Sequence, residues 1–307
     1  MDVLKFAPLL MHLVWGIESW EISAVPGKET LVSEGKYAGR SITSLAEEFK
    51  GMLLGEKVYA ATGTQFPLLI KFIDARADLS IQVHPNDALA AARHNGSKGK
   101  TEMWYVVGAE PGAHLLSGLS QAITSEEYER RVADGSITEV LSRYEVKPGD
   151  VFYLPAGRIH AIGAGCYIAE IQQTSDITYR IYDYGRMGLD GKPRELHTEL
   201  AKDAIDYTVL SDYRCTYSPA RNKEVRLVNC PYFTTSLWEA DRTVRKDLSG
   251  LDSFVVAICL SGEAMLATEE SQVSIRQGET VLIPASAQSL EIVPGGENVK
   301  LLTSCIE

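Results

Sequence analysis

A short apolar run ends in a proline bend at Gly149-Asp150-Val151-Phe152-Tyr153-Leu154-Pro155-Ala156-Gly157-Arg158-Ile159-His160. A weaker copy occurs at Gly278-Glu279-Thr280-Val281-Leu282-Ile283-Pro284-Ala285-Ser286. Each copy starts with glycine and an acidic residue, continues as a candidate strand and ends in Pro-Ala followed by a small residue. Glycine permits the turn before the strand, and proline fixes the bend after it. We interpret the copies as equivalent strand–turn units of a duplicated β-barrel.

The remaining sequence predicts a mainly β fold. Short runs rich in Val, Ile, Leu, Tyr and Phe are separated by turns without regular helix alternation, which is typical of sandwiches and jelly rolls. Helical patterns at 87–95, at 124–144 (divided at 134–136) and at 194–207 are expected to be insertions that cover the first barrel. Polar residues cluster at 211–224. We therefore predict a metal-binding catalytic domain at 1–215, with a helical insertion at about 119–144, and a degenerate C-terminal β-domain at 216–307.

Composition excludes several kinds of partner. The 307 residues carry a formal net charge of -11, so the surface does not attract nucleic acid or an anionic membrane. The five cysteines are odd in number and lack a C-x-x-C pair, which favours reduced thiols and a cytoplasmic location. No window approaches the roughly 18 apolar residues of a membrane span.

Candidate metal ligands occur at the ends of three predicted strands. Alternation places Ser80, Gln82 and His84 on one strand face. Glu102 begins another apolar run, and His160 follows the proline bend. Two imidazoles and a carboxylate suit a borderline divalent ion; zinc is the first choice, with Mn, Fe, Co and Ni open. Gln82 is a candidate fourth ligand through its amide oxygen.

The other histidines have no evident chemical partner in the sequence; they are His12, His94, His114 and His197. In the C-terminal copy, Ser289 stands where His160 would be, and no histidine follows His197. A second histidine-based metal site is therefore excluded, and the C-terminal barrel is predicted to be structural.

Several motifs carry a resemblance to known proteins. The stretch 149–160 matches the second conserved motif of the cupin superfamily, although Ala164 stands where that motif often has Asn. Four further segments resemble the type I mannose-6-phosphate isomerases in their short bacterial form: Trp15-Gly16-Ile17-Glu18-Ser19-Trp20-Glu21-Ile22-Ser23, Ile81-Gln82-Val83-His84-Pro85-Asn86-Asp87, Gly99-Lys100-Thr101-Glu102-Met103-Trp104-Tyr105 and Ser175-Asp176-Ile177-Thr178-Tyr179-Arg180-Ile181-Tyr182-Asp183.

The resemblance implies two cupin-type jelly-roll barrels and a zinc-dependent isomerase that interconverts mannose 6-phosphate and fructose 6-phosphate through a cis-enediol(ate). It implies one zinc per chain, held by His84, Glu102 and His160, with Gln82 as the fourth ligand. The expected partner is a small phosphorylated sugar, and the expected assembly is a monomer or a homodimer.

The resemblance also assigns roles around the metal. It makes Arg180 the active-site arginine and gives the substrate phosphate to Ser80 and Arg186, where many relatives have Lys in place of Arg186. Lys100 is the remaining local cation. The proton carrier stays open among Lys100, Asp183, Glu170 and a metal-bound water.

Two alternatives are kept. One is another metal-dependent cupin enzyme, such as an iron-dependent dioxygenase or an isomerase of a different sugar. The other is a non-catalytic sugar-binding cupin. The set of Ser80, Arg180 and Arg186 argues against the dioxygenase, because that chemistry needs little phosphate recognition.

Overall fold

A computed structural model describes residues 1–307, and strands dominate it. The strands, in chain order, are β1 (Leu4–Ala7), β2 (Leu9–Leu13), β3 (Gly16–Ile22), β4 (Leu31–Val32), β5 (Leu68–Ala75), β6 (Ile81–Val83), β7 (Glu102–Ala109), β8 (His114–Leu119), β9 (Leu141–Glu145), β10 (Val151–Leu154), β11 (His160–Ile162), β12 (Cys166–Gln173), β13 (Tyr179–Tyr182), β14 (Arg214–Cys215), β15 (Glu224–Cys230), β16 (Phe233–Ala240), β17 (Val244–Asp247), β18 (Val255–Ser261), β19 (Glu263–Ala267), β20 (Gln272–Arg276), β21 (Thr280–Ile283), β22 (Ser289–Pro294) and β23 (Val299–Cys305).

Six short α-helices interrupt the strands. They are α1 (Ile42–Phe49), α2 (Gly51–Leu54), α3 (Glu56–Thr62), α4 (Asp87–Arg93), α5 (Ser125–Asp134) and α6 (Thr198–Ala204), and a 3₁₀ helix follows α5 at Ser136–Val140. Side chains cap three of these helices: Ser41, Asn86 and Thr124 each accept a hydrogen bond from a backbone N–H of the first turn. No helix is long and apolar enough to cross a membrane.

Contacts divide the chain into two compact units. The central unit contains Leu10–Ser19 and Ile70–Cys215, and the C-terminal unit contains Met1–Leu9, Trp20–Leu69 and Thr216–Glu307. The sequence-based division placed 1–9 and 20–69 with the first domain, whereas β1 pairs antiparallel with β21. Such a long-range pairing leaves no local sequence signal. The functional division at residue 215 stays a prediction.

The central unit has two antiparallel sheets. The larger has the strand order β14-β10-β7-β12-β5-β3-β2, and the smaller has the order β13-β6-β11-β8-β9. One apolar cluster joins residues of both sheets, including Ile73, Trp104, Phe152 and Ile162. A second cluster packs the smaller sheet against the helices, with Tyr128 of α5 and Ala201 of α6 among its members. These helices therefore cover the first barrel, as expected.

The C-terminal unit also has two antiparallel sheets, and α1, α2 and α3 belong to it. Its sheets have the orders β15-β16-β23-β18-β21-β1-β4 and β17-β22-β19-β20. Its apolar core cluster includes Trp238, Leu266, Ile292 and Leu301. The mainly β, cupin-type fold predicted from the sequence is confirmed.

Two predicted helical segments differ from the structure. The second half of 124–144 forms the 3₁₀ helix and then β9, because Leu141–Glu145 pairs with β8. The helix expected at 194–207 is limited to α6, Thr198–Ala204. The preceding residues have no regular secondary structure and lie next to β13, where His197 N–H donates to Arg180 O at 2.7 Å.

Candidate metal centre and active site

One row of residues crosses the smaller sheet of the central unit. The strand register places Ser117, His160, Gln82 and Arg180 next to one another on β8, β11, β6 and β13. Side chains directly opposite each other in antiparallel strands point to the same face. The row therefore presents a predicted metal ligand, its candidate neighbour and the predicted active-site arginine side by side.

The proline bend precedes β11 and positions His160, the first residue of that strand. Gly149 and Gly157 have φ angles of 95° and 91°, which are accessible to glycine and costly for other residues. A Cβ atom on Gly157 would also lie 2.9 Å from Ala204 O. Because Gly157 N–H donates to His84 O at 2.9 Å, the bend also joins the segments that carry His84 and His160.

The facing sheet supplies the carboxylates. Glu102 starts β7 and lies opposite Gln172 of β12, while Trp104 lies opposite Glu170. These four side chains share one face, since residues two apart on a strand point the same way. Trp104 Nε1 donates to Glu170 Oε2 at 2.8 Å, which fixes that carboxylate.

The three predicted ligands come together. Ligand atoms of His84, Glu102 and His160 lie within 4.8 Å of one another, and the side chains are buried. His160 Nε2 is 3.3 Å from Glu102 Oε1, and His84 Nε2 is 3.5 Å from Glu102 Oε2. No other group of three or more His, Cys, Asp or Glu side chains in the chain has this arrangement.

Backbone carbonyls orient both imidazoles. His84 Nδ1 lies 2.9 Å from Ile177 O, and His160 Nδ1 lies 2.8 Å from Arg158 O. Since a carbonyl oxygen only accepts, each Nδ1 carries the proton and each Nε2 presents its lone pair to Glu102. Burial lowers the pKa of His160 to about 3 and the pKa of His84 well below its ordinary value. Both rings are therefore neutral, the form that binds metals.

The carboxylate of Glu102 is fully buried. Lys100 Nζ forms an ion pair with Oε2 at 3.1 Å, whereas Oε1 has no hydrogen-bond partner, although a buried carboxylate normally satisfies both oxygens. Two imidazole lone pairs and this carboxylate are a donor set for a divalent cation. Gln82 Nε2 lies 3.3 Å from His160 Nε2. A rotation of the amide by about 180° would put its oxygen at the position of this nitrogen. The residues therefore fit a metal ion, and Gln82 lies within reach of it.

Buried charges surround the cluster. Lys100 Nζ also lies 3.1 Å from His84 Nε2. Lys71 is buried 3.3 Å from Glu170 Oε1 and 3.5 Å from Glu18 Oε2. Burial alone would lower the pKa of Lys71, but Glu18 and Glu170 outweigh it and raise that pKa. Glu170 is therefore held by Lys71 and by the Trp104 indole.

Arg180 is anchored beside this cluster by the segment that follows β13. Its Nη1 donates to Glu195 O at 2.8 Å, and its backbone N–H donates to His197 Nδ1 at 3.0 Å. The buried Nε of Arg180 has no partner. Burial and the nearby Arg194 lower the pKa of Arg180.

Asp183 binds two arginines instead of standing free. Arg186 Nη2 donates to Oδ1 at 2.7 Å, and Arg194 donates from Nε and Nη2 to both oxygens at 2.7 Å. Ser80 is buried. It lies near the end of β13 that precedes Asp183, because the register pairs Ile81 with Tyr182. No hydrogen bond joins Ser80 to Arg186.

Sequence reasoning missed four residues of this region: Lys71, Trp104 (as a partner of Glu170), Arg194 and His197. The sequence analysis assigned no role to the first three. The sequence analysis gave His197 no partner, whereas its ring accepts from the Arg180 backbone. The Arg194-Glu195-Leu196-His197 run contained the available signal, since it combines a cation and an imidazole just before a helix.

The C-terminal unit has no comparable site. Ser289, which stands at the position equivalent to His160, accepts from Arg245 Nη2 at 3.0 Å and donates to Glu269. This unit contains no histidine.

Two family models match separate parts of the chain. Residues 16–105 match the catalytic domain of phosphomannose isomerase type I, and residues 223–304 match the cupin domain of mannose-6-phosphate isomerase. The chain is 35% identical to mannose-6-phosphate isomerase ManA of Bacillus subtilis over 92% of this chain and 93% of that one. It is 34% identical to mannose-6-phosphate isomerase of Streptococcus mutans over 92% and 88% of the two chains.

A solved structure leads to the same family. The crystal structure of the mannose 6-phosphate isomerase from Bacillus subtilis has a TM-score of 0.88 and 28% identity, and the match covers 99% of each chain. A cupin fold with a buried His-Glu-His cluster defines the class of a metal-binding cupin enzyme. The chain belongs to the type I mannose-6-phosphate isomerase family, whose enzymes are intramolecular oxidoreductases.

Proposed function

We propose that the protein is a zinc-dependent aldose–ketose isomerase that interconverts mannose 6-phosphate and fructose 6-phosphate through a cis-enediol(ate). Family membership supports the reaction. The observation that carries the metal dependence is the buried carboxylate of Glu102, whose oxygens lie 3.3 and 3.5 Å from two imidazole nitrogens and whose Oε1 has no hydrogen-bond partner.

We assign the ion to His84, Glu102 and His160, with the amide oxygen of Gln82 as a fourth ligand. Nitrogen and oxygen ligands with positions left for substrate or water favour zinc at a catalytic site. When bound, such an ion would act as a Lewis acid that polarises the sugar oxygens.

We assign proton transfer to Lys100. Its amine lies against two members of the cluster and is buried, while Asp183 is bound to two guanidinium groups and Glu170 to Lys71 and Trp104. The amine takes the proton from C2, the C2–H electron pair forms the C1–C2 double bond, and negative charge moves to O1. Return of the proton to C1, with transfer of the O2 proton to O1, gives the ketose.

Arg180 would stabilise the negative oxygen of the enediolate, because its side chain shares a sheet face with Gln82 and its buried Nε has no partner. Its guanidinium stays protonated near neutral pH, so it serves as a donor and not as a base. Ser80 and Arg186 would bind the substrate phosphate at the neighbouring end of β13.

We further place the enzyme in the cytoplasm, since all five cysteines are free thiols. Assembly as a monomer or a homodimer stays a prediction.

The function is tested by following mannose 6-phosphate by NMR in deuterated water, with metal analysis of the same sample. We expect fructose 6-phosphate to form, with solvent deuterium incorporated at the carbon that is reprotonated. Conversion of a different sugar phosphate alone would refute the substrate, and oxygen consumption with iron would favour a dioxygenase. Sugar binding without turnover would indicate a binding protein.

A further inference from the structure

Two arginines bind a single carboxylate at the end of β13, and a third arginine lies near them. Asp183 accepts a hydrogen bond from Arg186 Nη2 and a forked pair from Arg194, each at 2.7 Å. Arg180 lies near both cations, which helps to lower its pKa in addition to its burial. The Asp183 side chain is 5% exposed, so solvent screens this group little.

The backbone brings these side chains together. Arg186 N–H donates to Asp183 O at 3.0 Å in a tight turn. The loop that follows is closed by an antiparallel bridge between Met187 and Pro193. This bridge places Arg194 next to Arg186, so that both arginines contact Asp183. This loop therefore holds two arginines in fixed positions relative to Asp183.

The cluster lacks negative charge and acceptors. Three guanidinium groups face one carboxylate, although the whole chain is acidic. Arg180 donates to the backbone oxygen of Glu195, whose own side chain is 83% exposed. The Nε groups of Arg180 and Arg186 are buried without a hydrogen-bond partner. Buried donors of this kind are normally satisfied, so an anion with several acceptor oxygens fits here.

We propose that Arg194 and Asp183 are positioning residues for the substrate phosphate: Arg194 fixes Asp183, and Asp183 directs Arg186 towards the phosphate. The inference rests on the proposed function, because the phosphate is that of the sugar substrate. A phosphate monoester carries about two negative charges at neutral pH. Together with Asp183 it balances the three guanidinium groups.

This arrangement gives Asp183 a role in binding and not in proton transfer. Three guanidinium hydrogen bonds use most of the roughly four lone-pair sites of this carboxylate and lower its basicity. Loss of its charge would release Arg186 and Arg194 and weaken phosphate binding. Loss of a proton carrier would instead lower turnover and leave binding unchanged.

The test measures KM and kcat for mannose 6-phosphate and the inhibition constant of inorganic phosphate. Variants are Asp183→Asn, Arg194→Met and Arg194→Lys. Asp183→Asn and Arg194→Met should each raise KM and the inhibition constant about 10- to 100-fold, with kcat within about threefold of wild type. Arg194→Lys should fall between wild type and Arg194→Met, because lysine keeps the charge without the forked geometry.

A matched control is Arg76→Met, which breaks an exposed pair with Asp74 in the same unit, at 3.3 Å, and should change neither constant. The double variant Asp183→Asn/Arg194→Met should raise KM and the inhibition constant by less than the product of the two single increases, because both substitutions remove the same contact. An unchanged inhibition constant in Arg194→Met, or a kcat loss at constant KM in Asp183→Asn, would overturn the inference.

Failure of this inference is separable from failure of the proposed function. Calorimetric titration with inorganic phosphate reports on the cluster even if wild-type protein does not isomerise mannose 6-phosphate. Wild-type turnover with unaltered phosphate binding in Arg194→Met would refute the positioning role alone. Circular dichroism and bound metal, unchanged in the variants, establish that each one is folded.

Discussion

Replacing Arg180 with alanine should lower kcat by about 100- to 1000-fold and leave the metal site intact. Arg180 commits Nη1 to Glu195 O at 2.8 Å, whereas its buried Nε has no partner and is free for a developing negative oxygen. Loss of one preorganised donor at such a position costs about 3–4 kcal/mol in transition-state stabilisation, which gives this factor. The assay couples fructose 6-phosphate formation to a reporting enzyme, with metal content measured on the same sample.

Arg180→Lys is the informative companion variant. Lysine keeps the positive charge but lacks the planar fork, so its kcat should lie between those of wild type and Arg180→Ala. Metal content should equal wild type in both variants, because the guanidinium is not among the clustered ligands. If Arg180→Ala kept a kcat within about threefold of wild type, or lost metal, the assigned role would be wrong.

Three further outcomes are expected. Lys100→Met should lower kcat at least about 100-fold while keeping bound metal, because it removes the proposed proton carrier; steady-state kinetics and metal analysis check this. Burial alone would raise the pKa of Asp183, but its two guanidinium partners outweigh it and lower that pKa. Their stabilisation is therefore present above about pH 4 and is lost as the pH falls through the folded pKa, so Asp183→Asn should lower the urea midpoint more at pH 7 than at about pH 3. Leu266→Ala should lower the free energy of unfolding of the C-terminal unit by about 2–5 kcal/mol, measured by urea denaturation, without changing kcat.

Each of these outcomes has a clear contrary result. Normal turnover in Lys100→Met would transfer the proton step to another group. An equal loss of stability in Asp183→Asn at both pH values would show that the ion pair is not responsible. A fall in kcat of folded Leu266→Ala would give the C-terminal unit a part in catalysis.

The clustering of the three candidate ligands could be predicted from the sequence because strand alternation and the proline bend act locally. His84 and His160 lie where those patterns place them, and the facing strand brings Glu102 to them. The mainly β architecture follows from the same local signals.

Other features depend on pairings that no local pattern encodes. Lys71 reaches Glu170 because β5 lies next to β12 in the sheet order, and the segment before α6 returns to β13. Arg194 and His197 were therefore invisible as site residues. Similarly, grouping of β1 with β21 required the three-dimensional register.

The most direct measurement is a zinc titration of chelator-treated enzyme, with isomerase activity and bound metal recorded at each point. The proposed function predicts no mannose 6-phosphate conversion without metal, and recovery that saturates at one zinc per chain. Glu102→Gln, treated in the same way, should bind zinc more weakly, since it removes the buried charge between His84 and His160. Full activity in rigorously metal-free wild-type protein would contradict the central claim.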